Sequence, residues 1–535
     1  MADLESKYVV PLSSVGLADL ARVGGKNASL GEMLQTLTAG GVRVPEGFVL
    51  TADAFRLHLA QGGLAEWVER TLAGVDVRDV KAVAEAGQAI RTRIRETPLP
   101  AELLPPVQRA YEALSRRYDE GATDVAVRSS ATAEDLPGAS FAGQHETFLN
   151  VRGMAALDAA IRGCFASLYT DRAIVYRTEK GFRHRDVALS VGIQKMVRSD
   201  LGSAGVIFTL DTESGFRDVV LITGAWGIAE TLVQGRVAPD EFWIHKPTLR
   251  AGFASILRRE LGTKAVKLVY TASGLRSVGE VRVPEADRFR FVLEDAELLT
   301  LARWALAIEE HYSRRAGRPT PMDIEWAKDG QSGALFIVQA RPETVHAERA
   351  GTRLEIFRRA GKGRLLLTGK SVGQRVGTGP VRVIRGRDDL ATVEEGAVLV
   401  ARMTDPDWEP VLQRVAAVVT DEGGRTCHAA IVSRELGIPC VVGTGKATTT
   451  LPAGTDVTVS CAEGDEGRVY EGKVPFTREE IDPATAPRSP VPLMLNVANP
   501  DVAFQVAQLP SDGVGLLRVE FVISGWIGIH PMAIA

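Results

Sequence analysis

Residues 421–445 read DEGGRTCHAAIVSRELGIPCVVGTG. They follow VAAVVT at 415–420, an apolar run with the composition of a buried strand. Gly423 and Gly424 end that run, and apolar residues then recur at helical spacing from about His428 to Leu436. Gly437 and then Pro439 stop the helix. His428 therefore falls on the first turn of a helix, directly after a flexible glycine pair. A helix start offers unpaired N–H donors and partial positive charge, which stabilise an anion. Glycines let the backbone approach that anion closely, and a neutral imidazole is nucleophilic near neutral pH. The placement suits a histidine that carries phosphate. The plainer alternative is a histidine that only caps or packs at the helix start. Metal ligation is not indicated, because no second histidine or acidic cluster lies nearby in sequence.

Outward from this segment, GAVLVA, VAAVVT and PCVVGT form the strands of a compact α/β unit over 366–475, with the short helix between the last two. Residues 346–365 before it are strongly charged with three glycines and read as a connector. Residues 476–492 belong to a proline-rich run, the clearest linker in the chain. After it, LMLNVAN, a helical stretch and GVGLLRVEF make one strand–helix–strand unit over 493–535. One such unit cannot bury a sheet of its own, so this last domain reads as cut short.

Residues 1–345 form the other large block. Helical stretches with short strands run to about 190, and a strand-rich half follows with VALSVGIQKMV, AGVIFTL, DVVLITGAW and ALFIVQA. The run ALDAAIRGCFASLYTDRAIVYRTEKG is predicted to be one long helix. Three segments suit phosphate. VGGKNASLGEM sets Gly24, Gly25 and Lys26 before a short helix, without P-loop spacing. VAVRSSATAEDLPGASFAGQHETFLNV places Arg128 at a strand end before a loop of small residues through Gly138 and Gly143; a surface loop with one exposed arginine is the alternative. PMDIEWAKDG and ALFIVQARPET read as two strands joined by a turn. Alternation puts Asp323 and Glu325 on one face of the first strand, opposite Ile324 and Trp326, and lets Gln339 and Arg341 share a face of the second, one polar group amid apolar residues. Carboxylates and an amide oxygen suit Mg²⁺, and the arginine suits an adjacent phosphate. A half-exposed hairpin with solvated charges is the competing explanation.

At 535 residues the chain is too long for one hydrophobic core. It carries 63 basic and 67 acidic residues, net −4, which gives no reason to expect nucleic acid or an anionic membrane as partner. Cys164, Cys427, Cys440 and Cys461 are scattered, suiting neither a disulfide framework nor a zinc site. The opening MADLESKYVVPL lacks the pattern of a secretion signal, and no apolar run has membrane-span length. A cytoplasmic location is expected.

The run GGRTCHAAIVSRELGIPCVVGT resembles the phosphohistidine signature of the phosphoenolpyruvate-utilising enzymes. The resemblance covers essentially the whole chain. It implies an α/β and α+β multidomain protein: an ATP-grasp nucleotide domain over 1–345 with two subdomains dividing near 190, a swivelling phosphohistidine domain, and the start of an incomplete (β/α)8 barrel. It implies that His428 is the phosphorylated residue. Thr426 would occupy the position where a regulatory kinase/phosphorylase acts on some members, with a hydroxyl that only hydrogen-bonds the loop as the alternative. Lys26, Arg128 and Arg341 would bind ATP phosphates, and Glu325 and Gln339 would hold Mg²⁺, with Asp323 as a further ligand. The segment SVGIQKMVRSDLGSAGVIFTLDTESG is similar to the part that lines the adenine pocket. Arg518, in GLLRVEF, matches an arginine that contacts substrate in the phosphoenolpyruvate/pyruvate barrel; a charged residue at a strand end is the alternative. The implied reaction takes ATP, pyruvate and water to AMP, phosphoenolpyruvate and phosphate through phosphohistidine. This chain would be competent for its first half, phosphorylation of His428. The phosphate-using dikinase branch and a non-catalytic nucleotide-binding fragment are the alternatives.

Overall fold

The computed structural model describes residues 7–534 except 78, 133–146, 180, 234, 272–277, 344–353, 406–407, 482–488, 498–499, 501–502, 524–526, 528 and 530. It is a mixed α/β structure of several units. The first is an antiparallel sheet built from β1 (Val9–Pro11), β2 (Gly47–Leu50), β3 (Val125–Ala131), β4 (Thr147–Val151) and β5 (Leu189–Lys195), in the order β1-β2-β5-β3-β4. The second is a six-stranded antiparallel sheet. Its strands are β6 (Ser203–Phe208), β7 (Val219–Trp226), β8 (Asp240–His245), β9 (Ile256–Glu260), and, past the small hairpin of β10 (Val266–Tyr270) and β11 (Val278–Arg282), β12 (Met322–Lys328) and β13 (Leu335–Pro342). Their order is β13-β12-β6-β7-β8-β9.

The helix Leu20–Thr36 joins the two sheets. Its Val23, Ala28, Leu30 and Met33 pack in the core of the second sheet with Trp326 and the helix Asp295–Ala316. Ser29 Oγ donates to the Ala340 carbonyl on β13 at 2.6 Å and lies 2.5 Å from Tyr312 Oη. The register of β12 is set by its apolar face: Met322, Ile324 and Trp326 are buried, and Trp326 donates its indole N–H to the Thr223 carbonyl at 3.0 Å. Truncating a buried tryptophan typically costs about 3–5 kcal/mol, and a one-residue slip would turn that whole face out.

The next unit is a closed barrel of β15 (Leu365–Val372), β16 (Val376–Ile384), β17 (Val398–Ala401), β18 (Ala417–Thr420), β19 (Cys440–Val442), β20 (Asp456–Ser460) and β21 (Glu466–Glu471). Its β16–β19 stretch is parallel, and the helix His428–Leu436 fills the β18-to-β19 connection. On either side of the barrel in sequence stand β14 (Leu354–Arg359) and β22 (Phe476–Ile481), which pair antiparallel as a two-stranded ribbon. The last unit pairs β23 (Met494–Val497) parallel to β24 (Gly513–Leu517). It leaves Met494, Val514, Leu516 and Leu517 exposed, as expected of a single strand–helix–strand unit. No helix among the described residues is long and apolar enough to cross a membrane.

Several expectations change. The divide near 190 falls between β5 and β6 instead, because β5 is the central strand of the first sheet. The division in space is not a division in sequence either, since residues 10–44 supply core to the second sheet. The run 156–181 is two helices, Met154–Ser167 and Asp171–Glu179. The connector at 346–365 and the linker at 476–492 are not simply irregular, because Ile356 and Phe357 face Glu479 and Arg478 in the β14–β22 ladder. Arg128 lies in the middle of β3, whose pairing with β5 continues to Ala131. The small-residue loop with Gly138 and Gly143 lies outside the described residues.

Candidate active site

Three elements bring the first group of residues together. Gly24 interrupts the helix Leu20–Thr36 with φ +70°, and a side chain there would stand 2.3 Å from Ser130 Oγ on β3. The backbone can pass β3 this closely only because residue 24 is glycine. Just beyond it, the Lys26 amide donates to Ser130 Oγ at 3.1 Å. On β3, Arg128 donates through Nη1 to the Val338 carbonyl at 3.1 Å and pairs with Glu325 at 3.5 Å.

Across the β12–β13 ladder, Glu325 faces Gln339 and Asp323 faces Arg341. A bulge follows Glu325, so Trp326 pairs with Ile337 and Val338 is left as the extra residue whose carbonyl meets Arg128. Arg341 reaches Asp323 through Nε at 2.9 Å and Nη2 at 2.8 Å, both on Oδ2. Burial pushes the Asp323 carboxyl up, Arg341 opposes it, and Glu325 and Glu343 push it further up. The face thus holds carboxylates and guanidiniums in compensating pairs. Among the described residues no group of three or more His, Cys, Asp or Glu side chains is placed to hold a metal ion. An all-protein metal cage is therefore not what this face offers. Glu325, Gln339 and Asp323 instead present hard oxygens on adjacent strands, suited to a cation that arrives with phosphates.

The second group stands on the barrel. Gly423, with φ +108°, and Gly424 follow β18, and Cys427 caps the helix that begins at His428. The segment rests on the turn at 235–239, between β7 and β8: side chains added at Gly235 and Gly424 would stand 2.4 Å from Cys427 Cβ and 3.0 Å from Pro239 Cδ. His428 Nδ1 lies 3.2 Å from Thr404 Oγ1, and its Nε2 is buried with no hydrogen-bond partner among the described residues. The imidazole pKa is held down to about 4, first by burial and then by the charge of Arg172, with Asp405 opposing. The ring is therefore neutral at physiological pH. Nδ1–H donating to Thr404 is the tautomer that leaves the Nε2 lone pair available.

Lys26, Arg128, Asp323, Glu325, Gln339 and Arg341 thus converge where the helix Leu20–Thr36, β3 and the β12–β13 edge meet. Thr426 lies two residues before His428, is 1% exposed, and has no hydrogen-bond partner for its hydroxyl among the described residues. Arg518 is not with either group: it is exposed just past β24, its amide donating to the Val497 carbonyl at 2.9 Å. Sequence reasoning missed Arg172, Thr404 and Asp405. Arg172 was hidden in a run read as one helix, and nothing local marks it as a neighbour of residue 428.

Residues 20–360 match the family pyruvate phosphate dikinase, AMP/ATP-binding domain, and residues 393–464 match PEP-utilising enzyme, mobile domain. The chain belongs to this family of AMP/ATP-binding proteins. Among individual relatives, it is 55% identical over 530 residues to the phosphoenolpyruvate synthase of Pseudomonas aeruginosa, covering 99% of this chain and 66% of the relative. It is 52% identical to that of Neisseria meningitidis, covering 100% and 66%, and 50% identical to that of Escherichia coli, covering 99% and 66%. The chain therefore spans just under two thirds of the length of these relatives.

Proposed function

We propose that this chain catalyses the ATP-dependent phosphorylation of His428, the first half of a phosphoenolpyruvate synthase reaction. The observation that carries the reading is the state of His428. Its ring is neutral, its Nε2 is buried without a partner, and its helix start rests on the nucleotide-binding unit. The two N-terminal sheets make an ATP-grasp pair, the barrel is the swivelling carrier, and residues 493–535 begin a phosphoenolpyruvate/pyruvate barrel.

ATP lies in the cleft with its phosphates against Lys26, Arg128 and Arg341. On binding, the arginines exchange carboxylate partners for phosphate oxygens, a bidentate contact that guanidinium geometry favours. Glu325 and Gln339, with Asp323, would hold a Mg²⁺ in the room this exchange leaves, and the ion would supply neutralisation of phosphate charge there. Nε2 attacks the β-phosphorus, and the bond from that phosphorus to the α,β-bridging oxygen breaks, releasing AMP. Water then removes the terminal phosphate. Thr404 holds the ring's other nitrogen in register. Transfer to pyruvate follows at a second site, where Arg518 contacts substrate. A regulatory enzyme acting on Thr426 reaches its buried hydroxyl only after the carrier leaves this docked position.

ATP labelled at the β-phosphate, with Mg²⁺, tests the reading. Acid-labile, base-stable label on the parent with AMP release, and none on His428→Ala, is expected. ATP binding with no label on the parent overturns it.

A further inference from the structure

The nucleotide-binding unit and the barrel meet across a seam of opposite charges. Lys370 on β15 lies 3.3 Å from Glu241 and 3.2 Å from Glu260. Asp465 joins Arg258 of the second sheet at 2.8 Å to Arg425 of the histidine loop at 2.7 Å. Burial works to raise the Asp465 carboxyl, but Arg425 and Arg258 outweigh it and hold it below the usual range. In the β6–β7 loop, Glu213 accepts from the Gly373 amide at 2.6 Å through Oε2, while its Oε1 takes the Arg434 guanidinium, Nε at 3.0 Å and Nη2 alongside. Beside these pairs the seam encloses a cavity of about 300 Å³, lined by Glu213, Trp243, Phe357, Arg425 and Asp465 among others. A seam with such a void is not packed like a core, so charge rather than shape sets its register.

We propose that Glu213 is the positioning residue that registers His428 in the nucleotide cleft, acting through Arg434. The inference rests on the reading of His428 as the phosphate carrier. Arg434 stands six residues after His428 on the same helix, about 9 Å along its axis. Its Nη2 also donates to the carbonyl of Arg425, three residues before His428. One guanidinium therefore holds the loop before the histidine and the helix after it, and presents both to a carboxylate on the other unit. The second Glu213 oxygen, on Gly373, adds a fixed point at the end of β15. Both side chains are largely withdrawn from water, Arg434 7% exposed and Glu213 13%. The pair is thus screened less by salt than a surface pair. Rehydration of both charges on separation offsets much of their attraction, so the contact orients the carrier without trapping it. The same loop meets the C-terminal unit, where Phe216 stacks on Phe504 at 5.2 Å and Gln508 donates to the Ser214 carbonyl at 2.9 Å. A shift of this loop is therefore felt on both sides.

The test uses the full chain, β-labelled ATP and Glu213→Lys, which sets two cations against each other without altering the carrier. A misplacement of about 1 Å can cost about 100-fold, so labelling of His428 is expected to slow by about 10- to 100-fold while ATP affinity is unchanged. The conservative variant Glu213→Asp, which keeps a carboxylate for Arg434 while Arg434 still donates to the Arg425 carbonyl, retains much of that rate. An unchanged labelling rate in Glu213→Lys overturns the proposal, and so does an equal loss in Glu213→Asp. Hydrogen exchange of the amides at 423–428 reads the contact without any chemistry: faster exchange in Glu213→Lys supports it, and equal exchange overturns it. A parent that takes no label counts against the phosphate-carrier reading alone.

Discussion

The charged face of β12 and β13 and the histidine loop are built in opposite ways. On that face the arginines and carboxylates stand in pairs of opposite sign: Arg128 with Glu325 at 3.5 Å, Arg341 with Asp323 at 2.8 Å. In the histidine loop His428 Nε2 has no hydrogen-bond partner among the described residues, and burial first, then the nearby Arg172, keeps the ring uncharged. Paired charges wait for a ligand that substitutes for each partner, which suits a polyanion bound with a cation. Under the proposed function the buried neutral nitrogen takes a covalent bond, and a hydrogen bond at that atom would have to be broken first. Reversible binding and covalent transfer thus ask for satisfied and unsatisfied polar groups respectively. The chain places the two on separate folds, which under the proposed function lets one move relative to the other.

The sharpest way to break this contrast lies in the cleft. Glu325→Gln removes a proposed Mg²⁺ ligand and the partner of Arg128, and labelling of His428 is expected to fall by about 10²- to 10³-fold. Arg341→Gln leaves Asp323 half-buried without its cation, which is expected to lower stability in thermal denaturation as well as rate, since breaking a buried pair costs about 3–5 kcal/mol. If neither variant changes labelling, the charged face is structural and the contrast dissolves.

The loop gives a smaller, signed effect. A ring with a pKa of about 4 when docked, against an ordinary value of about 6.5 when solvated, takes up a proton only on leaving the seam. The docked state therefore keeps its full stability above about pH 6.5 and loses it as pH falls towards about 4. Arg172→Gln removes a cause of the depression, so the acid edge of the labelling rate moves to higher pH. An edge that does not move means that burial alone sets the value. Least affected is Thr404→Val. It removes the contact to Nδ1, worth about 1 kcal/mol, and labelling is expected to slow about fivefold with ATP binding intact.

Legibility followed burial and local chemistry. The parallel strands β17, β18 and β19 were readable because both faces are buried and their sequences run apolar throughout. The other four barrel strands were not named, since β15 and β16 carry Gly, Thr, Lys and Pro within antiparallel pairings that depend on distant partners. The helix after β18 was readable at both ends, His428 to Leu436 with Gly437 left-handed just beyond. The β12–β13 face was readable by alternation, but the bulge that turns the Val338 carbonyl toward Arg128 carries no local signature.

By itself, then, the sequence determined which residues are chemically equipped: a histidine at a glycine-led helix start, and a strip of carboxylate, amide and guanidinium on alternating strand positions. These depend on backbone periodicity and capping, which act over a few residues. Only the tertiary structure decided what each one meets: Arg172 beside His428, Arg128 on Glu325, and Glu213 on Arg434 across a sequence separation of 221 residues. Pairings of that range are set by how whole sheets dock, and the polar residues that make them look, in sequence, like any other solvated charge.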